Sequence, residues 1–275
     1  MTNDDTKARV QELKSLLEKT RNINRIIQKA AGHPISFAEM AETLCKNINC
    51  NVYILGRKGK VLGYTFMENF YCPTMEDIVK LDGHYPDRYN DELLRISETQ
   101  VNVYRKGTCV FDSNTTCFLP EKYSTIIPIT SGGQRLGTLM LSKTGEFTDE
   151  DLILGEFGAT VIGMEILRAR VDKIEETARQ KAVVSIAFDT LSYSELEAIE
   201  HVFNELGGNN GLLVASKIAD KVGITRSVIV NALRKLESAG VVEVRSLGMK
   251  GTYIRIINEY LMDELERVRF NHHRY

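Results

Sequence analysis

No segment of the 275-residue chain carries an uninterrupted apolar run near the ~20 residues that span a bilayer. The start, MTNDDTKARVQELK, is polar and unlike a secretory signal, so the cytoplasm is the expected address. Cysteine is scarce and shows no CxxC spacing: Cys45, Cys50, Cys72, Cys109 and Cys117 are odd in number and lie in the first half. Reduced thiols are therefore expected, rather than a disulfide framework or a zinc site. His272 and His273 end the chain beside Arg274 and Tyr275 without identifiable companion ligands, which predicts a solvated tail and no metal. No GxxxxGK[ST] run occurs, so a recognisable P-loop is excluded. No nucleophile, base and orienting group combine into a catalytic set, and the expectation is sensing, not an enzyme. Formal charge is nearly balanced at -2, and 43% hydrophobic content supports ordinary cores in a chain long enough for two domains.

What is present is concentrated in residues 212–256, LLVASKIADKVGITRSVIVNALRKLESAGVVEVRSLGMKGTYIRI. Val214, Ile218, Ala219 and Val222 recur at helical spacing, and Gly223 ends that helix where a tight turn needs left-handed backbone. Thr225 is placed to cap a second helix whose buried stripe is Val228, Ile229, Ala232, Leu233 and Leu236. Thr225, Arg226, Ser227, Val230, Asn231, Arg234 and Lys235 are left outward or at the rim. This is the pattern of a helix-turn-helix, whose second helix enters the major groove. The Arg226 fork suits guanine O6 and N7, Asn231 suits adenine, and Ser227 suits phosphate. Ala215, Ser216 and Lys217 open the first helix and join the expected DNA-contacting set. The runs VVEVR and TYIRI read as strands joined by SLGMKG, a wing with Lys250 near its tip.

From Val214 to Ile256 eight cations (Lys217, Lys221, Arg226, Arg234, Lys235, Arg245, Lys250, Arg255) face three acids (Asp220, Glu237, Glu243), a local balance of +5 in a chain of net -2. Such concentration suits a phosphate-binding surface. A winged helix used only for protein contacts is the competing reading.

Upstream, residues 7–31 carry Val10, Leu13, Leu16, Leu17, Ile23, Ile26 and Ile27 at helical spacing, an amphipathic opening helix. SFAEMAETLCKNI reads as a second helix with Ser36 and Glu39 in capping-box spacing. NVYILGRKGKVLGYTF and STIIPITSGGQRLGTLMLSK read as hairpins, and residues 73–96 as short helices and loops. Together these predict an α+β sensor with an antiparallel sheet and helices against it. Asp149 to about Leu191 is helical throughout, a connecting helix. Its Val161, Ile162, Ile166, Leu167, Val171 and Ile174 serve either a dimer contact or burial on their own sheet.

The segments LLEKTRNINRIIQKAAGHPISFAEMAETL, IIPITSGGQRLGTLMLSK, DLILGEFGATVIGMEILR and the run from SYSELEAIEHVF to GMKGTYI resemble the CodY family of transcriptional regulators over residues 16–262. Residues 1–15 look like an extension beyond the family's usual start, and the resemblance implies a GAF-type sensing domain (16–167), a linker helix (168–190) and a winged helix-turn-helix (191–275). It implies a homodimer whose affinity for operator DNA is raised by isoleucine, leucine or valine and by GTP, acting mainly as a repressor. By motif order, YPDRY carries the amino-acid pocket onto Tyr85, Pro86 and Tyr89, and CVFD aligns with a second pocket strand, nominating Cys109 and Phe111. Met75 and Val79 are expected on the preceding helix, facing the ligand. The family commonly places an arginine beside that methionine to hold the carboxylate, but here the segment is PTMEDIVK, and Arg88, Arg105 or backbone amides are the substitutes. For GTP, Arg57, Lys58 and Lys60 about the first hairpin suit a triphosphate, Glu165 suits guanine N1 and N2, and Arg170 follows on the same helix. The bland alternatives are core packing for the apolar set and a solvated turn for the basic one. The competing class is a GTPase or amino-acid-transforming enzyme with a DNA-binding appendage, which would need a nucleophile, an activated water or metal ligands.

Overall fold

The computed structural model describes residues 3–29, 34–68, 70, 72–104, 107, 109–111, 115–117, 119 and 121–272. Two compact units emerge, Met1–Arg170 and Val171–Tyr275. Among the described residues no helix is long and apolar enough to cross a membrane. All five cysteines are free thiols.

The first unit is built on a five-stranded sheet in the order β2-β1-β5-β4-β3. The strands are β1 (Asn51–Gly56), β2 (Val61–Thr65), β3 (Gln100–Tyr104), β4 (Lys122–Ser131) and β5 (Gln134–Thr144), and every pairing is antiparallel. Both predicted hairpins are present, the second turning at Gly132 and Gly133, each with positive φ. β3 did not register as a strand in the sequence. It is short, and Asn102 breaks its regularity with a φ of 52°, held by a hydrogen bond from the Phe147 N–H to Asn102 Oδ1 at 2.7 Å.

Side-chain alternation divides this sheet into two faces. Val52, Ile54, Ile127, Ile129, Leu139 and Leu141 face one core with α1 (Asn3–Lys29), α2 (Phe37–Ile48) and the first half of α5 (Asp149–Asp189). Tyr53, Leu55, Ile126 and Met140 face the other, covered by α3 (Pro73–Asp77), the π-helical turn Ile78–Asp82 that continues it, and α4 (Asp87–Leu94). Ser36 Oγ accepts from the Glu39 N–H at the start of α2, as its spacing predicts. The opening helix is longer than expected and begins at Asn3, so the proposed extension 1–15 is largely part of one continuous α1. Ile23 and Ile26 are buried, whereas Val10, Leu13, Leu17 and Ile27 stay exposed.

The long helix α5 answers the alternatives for its apolar stripe residue by residue. Val161, Ile162 and Ile166 are buried and Leu167 packs against their core, which is the burial reading; Val171 and Ile174 are exposed. The expected linker 168–190 needs correction at its end, because Val184, Ala187 and Phe188 are buried in the core of the second unit.

That unit contains α6 (Tyr193–Leu206), β6 (Asn210–Leu213), α7 (Ala215–Val222), α8 (Arg226–Ser238), β7 (Val242–Ser246), β8 (Thr252–Ile256) and α9 (Leu261–His272). The strands form an antiparallel sheet in the order β6-β8-β7. α6 opens with a full capping box between Ser192 and Glu195. α9 carries the chain in helical form to His272, and the rest of the expected tail, His273 to Tyr275, lies outside the described residues.

Candidate functional site

Gly223 shapes the DNA-facing surface. Its φ of 78° lets the chain leave α7 while its N–H still bonds to the Ala219 carbonyl at 2.9 Å. Thr225 occupies the N-cap of α8, but its hydroxyl does not cap the helix; it shares a hydrogen bond with Ser227 Oγ at 2.8 Å. The cap expected from sequence is thus right in position and wrong in chemistry. Arg226, Ser227, Asn231 and Arg234 are exposed along α8, and Val230 is half-buried. Ser216 and Lys217 are exposed at the start of α7, whereas the Ala215 side chain is buried in the core and has no outward surface to offer a base.

Not every cation here is free for a phosphate. Lys235 Nζ donates to the Thr190 carbonyl at 2.9 Å and to Glu195 Oε2 at 2.7 Å, tying α8 to the start of α6. This bond, more than any other contact, holds the Glu195 carboxyl below the usual carboxylate range. On the wing, Arg245 and Arg255 both pair with Glu243, whose carboxyl is lowered first by the Arg245 hydrogen bond. Lys250 is exposed in the 3-10 turn between β7 and β8, without an ion pair among the described residues.

In the first unit a cavity of about 30 Å³ lies on the second face of the sheet. Its floor is sheet: Tyr53 from β1, Val103 from β3, Lys122, Ser124 and Ile126 from β4, and Met140 and Ser142 from β5. Phe70, Cys72, Met75 and Tyr89 line one side, and Val110, Phe111, Cys117 and Leu119 the other. Of the residues expected here, Met75, Tyr89 and Phe111 line the cavity. Tyr85 and Val79 are buried one layer behind. Tyr85 stacks on Tyr89 at 6.1 Å between ring centroids, meets Phe111 edge-on at 5.6 Å, and donates its hydroxyl to Met75 Sδ at 3.8 Å. Burial pushes the Tyr53 and Tyr85 phenols upward, so both stay neutral donors.

Three expectations at this site need correction. Pro86 is exposed at the start of α4. CVFD is not a strand over its described residues; it lies in a loop closed by Cys109 N–H to the Thr115 carbonyl at 2.9 Å, and Cys109 is outside the lining while its neighbour Val110 is in it. Arg88 projects from α4 with 94% of its side chain exposed, near Glu92, so it does not serve the cavity. Arg105 lies outside the described residues. The cation that does line the cavity, Lys122, was missed because nothing in its local pattern distinguishes it from any strand-edge lysine.

Arg57, Lys58 and Lys60 are exposed on the β1–β2 turn. That turn is fastened to the layer behind the cavity: Asn90 Nδ2 donates to the Arg57 carbonyl at 3.1 Å, and the Tyr85 N–H to the Gly59 carbonyl at 2.9 Å. Gly59 is required there, with a φ of 81° and an added Cβ only 2.9 Å from His84. Glu165 is buried, and its Oε1 already accepts from the Ile35 N–H at 3.0 Å; Arg170 is exposed. The β1–β2 turn and the α5 stretch around Glu165 share one end of the sheet, since Gly56 pairs with Gly137 and Gly132 lies beside Leu167. Among the described residues no three His, Cys, Asp or Glu gather to hold a metal.

A cavity-bearing α+β domain and a winged helix-turn-helix on one chain define a DNA-binding regulator with a separate sensory domain. Residues 15–190 match the CodY GAF-like domain and residues 209–269 the CodY helix-turn-helix domain. The chain is 57% identical over 258 residues to the global transcriptional regulator CodY of Clostridium perfringens (strain 13 / Type A), covering 94% of this chain and 100% of that protein. It is 56% identical, with the same coverage, to the regulator of the same name from Clostridium kluyveri (strain NBRC 12016). A solved structure, the cofactor binding GAF domain of the nutrient sensor CodY from Clostridium difficile, is 34% identical and covers 55% of this chain and 96% of that one, with a TM-score of 0.38. The chain belongs to the CodY family of global transcriptional regulators.

Proposed function

We propose that this regulator represses its target genes while nutrients are abundant, binding operator DNA more tightly when a branched-chain amino acid and GTP are bound to its sensory domain. Its targets are genes of amino-acid and nitrogen metabolism and of adaptation to nutrient limitation, its working form is a cytoplasmic homodimer, and it performs no catalysis. The observation that carries this reading is the recessed, largely apolar cavity between Met75, Tyr89, Phe111 and the sheet floor, on a chain whose exposed α8 presents Arg226 and Asn231. An apolar, closely fitting lining with few polar groups suits isoleucine, leucine or valine. At about 30 Å³ the space holds little more than one water, so an amino acid enters only when lining side chains move. That movement is a difference between bound and free states, which coupling to DNA requires.

DNA contact is assigned to Ser216, Lys217, Thr225, Arg226, Ser227, Asn231, Arg234 and Lys250, with Ala215 and Val230 contributing at most backbone or rim contacts. GTP is assigned to the end of the sheet that holds Arg57, Lys58, Lys60, Glu165 and Arg170. The hydrogen bonds from Tyr85 and Asn90 to the Gly59 and Arg57 carbonyls offer a short physical link between the two effectors. Titrating promoter DNA with the protein, with and without isoleucine and GTP, tests the proposal. Tighter binding with each effector supports it; an operator affinity indifferent to both overturns it.

A further inference from the structure

We infer that Lys122 holds the carboxylate of the ligand in the sensory cavity; the inference rests on the effector reading above and assigns the residue that fixes the ligand's charged end. A hydrocarbon side chain is stabilised by the apolar lining, but an ionised carboxylate is not, and burying one without a partner is prohibitive. Among the described lining residues only Lys122 carries a formal charge.

Strand parity places it. Lys122 opposes Thr144, Ser124 opposes Ser142, and Ile126 opposes Met140 across β4 and β5. Residues two apart share a face, so Lys122 stands with Ser124 and Ile126 on the cavity floor, while Tyr123 and Ile127 belong to the opposite core. Several other cations of this domain are engaged elsewhere, and Arg57, Lys58 and Lys60 sit exposed on the β1–β2 turn, outside the lining. Lys143 pairs with Asp151, Lys80 with Glu76 and Arg88 with Glu92, and Arg135 donates to the Leu93 and Ile96 carbonyls. Lys122 is half-buried at the first residue of β4 and makes no ion pair among the described residues. Beside it the Ser124 and Ser142 hydroxyls share a hydrogen bond at 3.1 Å, and each oxygen retains capacity for another. The floor therefore offers one ammonium and a hydroxyl pair at one end and hydrocarbon at the other, which matches a small aliphatic carboxylate.

Calorimetry on the full chain tests this with isoleucine and isoleucinamide, which share a side chain and differ in the charge of one end. The wild type should prefer isoleucine by about 10- to 100-fold, the range of a hydrogen bond to a charged group. Lys122→Met, which keeps the stem and removes the ammonium, should weaken isoleucine by that factor and leave the amide unchanged. Lys122→Arg should restore the preference, and operator binding without effector should match wild type in both variants. Wild-type isoleucine affinity in Lys122→Met would overturn the inference, as would an equal loss for both ligands, because the stem would then be packing. Equal affinity of the wild type for acid and amide would also overturn it. Wild-type protein that binds none of isoleucine, leucine and valine would overturn the effector reading itself, and this assignment with it.

Discussion

Three substitutions on the wing should separate a free cation from two engaged ones. Lys250 is exposed and unpaired among the described residues, while Arg245 and Arg255 both hold Glu243, with the Arg255 Nε at 2.8 Å from Glu243 Oε2. Each phosphate contact steepens the dependence of log K on log salt by about 0.9. Over a fourfold salt range, from about 50 to 200 mM, one contact is therefore worth about a 3.5-fold change in relative affinity. Lys250→Ala should flatten the slope by about that 0.9 and do so equally on operator and random duplexes. Arg255→Ala should flatten it much less, because its guanidinium already shares a carboxylate. Glu243→Gln should steepen the slope by up to about 1.8 if both arginines then reach phosphates, and should raise non-specific affinity most at low salt. Fluorescence anisotropy of a labelled duplex at four salt concentrations reads all three. Identical slopes for Lys250→Ala and Arg255→Ala, or an unchanged slope for Glu243→Gln, would refute the idea that Glu243 restrains the wing's charge.

Arg226→Ala should lose about 1–3 kcal/mol of discrimination at one operator base pair while leaving effector binding intact; equal losses on all sequences would reassign Arg226 to phosphate. Phe111→Ala removes the ring that meets Tyr89 at 5.0 Å and Tyr85 at 5.6 Å, and calorimetry should show weaker isoleucine binding with effector-free operator affinity unchanged. For Glu195 the folded pKa is depressed, chiefly by Lys235, so its stabilising contribution is present above the unfolded value of about 4.3 and is lost as pH falls through the folded value. The melting-temperature gap between wild type and Glu195→Gln should accordingly be widest near neutrality and narrow on acidification; a gap independent of pH would remove the ion pair from the account. Inserting a Gly-Ser segment after Ile174, inside the exposed run 171–175 of α5, should leave operator binding and isoleucine binding separately intact but abolish the gain one gives the other.

Much of the DNA-binding unit was legible because its signals are local. A helix ends at Gly223 for reasons contained in one residue's backbone, the α8 stripe Ile229, Ala232, Leu233 and Leu236 repeats within four turns, and the wing is two short strands around a glycine-bearing loop. The two sensory hairpins and the long α5 are local in the same sense. What the amino-acid order could not show is which residues meet after distant strands pair. β3 reaches the sheet through an irregular pairing pinned by Phe147, 45 positions beyond Asn102, and without it Val103 has no place in a cavity. Lys122, Ser142 and Tyr53 come together because β4, β5 and β1 align, and the alternation that turns Lys122 inward acquires meaning only from that register. The same applies to charge. In sequence Lys235 reads as outward or at the rim and Arg255 as part of the local positive balance, and only the folded contacts with Glu195 and Glu243 show them already engaged. Backbone preference and periodicity act over a few residues and so belong to the sequence itself, whereas cavity composition and ion pairing depend on long-range packing that only the tertiary structure decides.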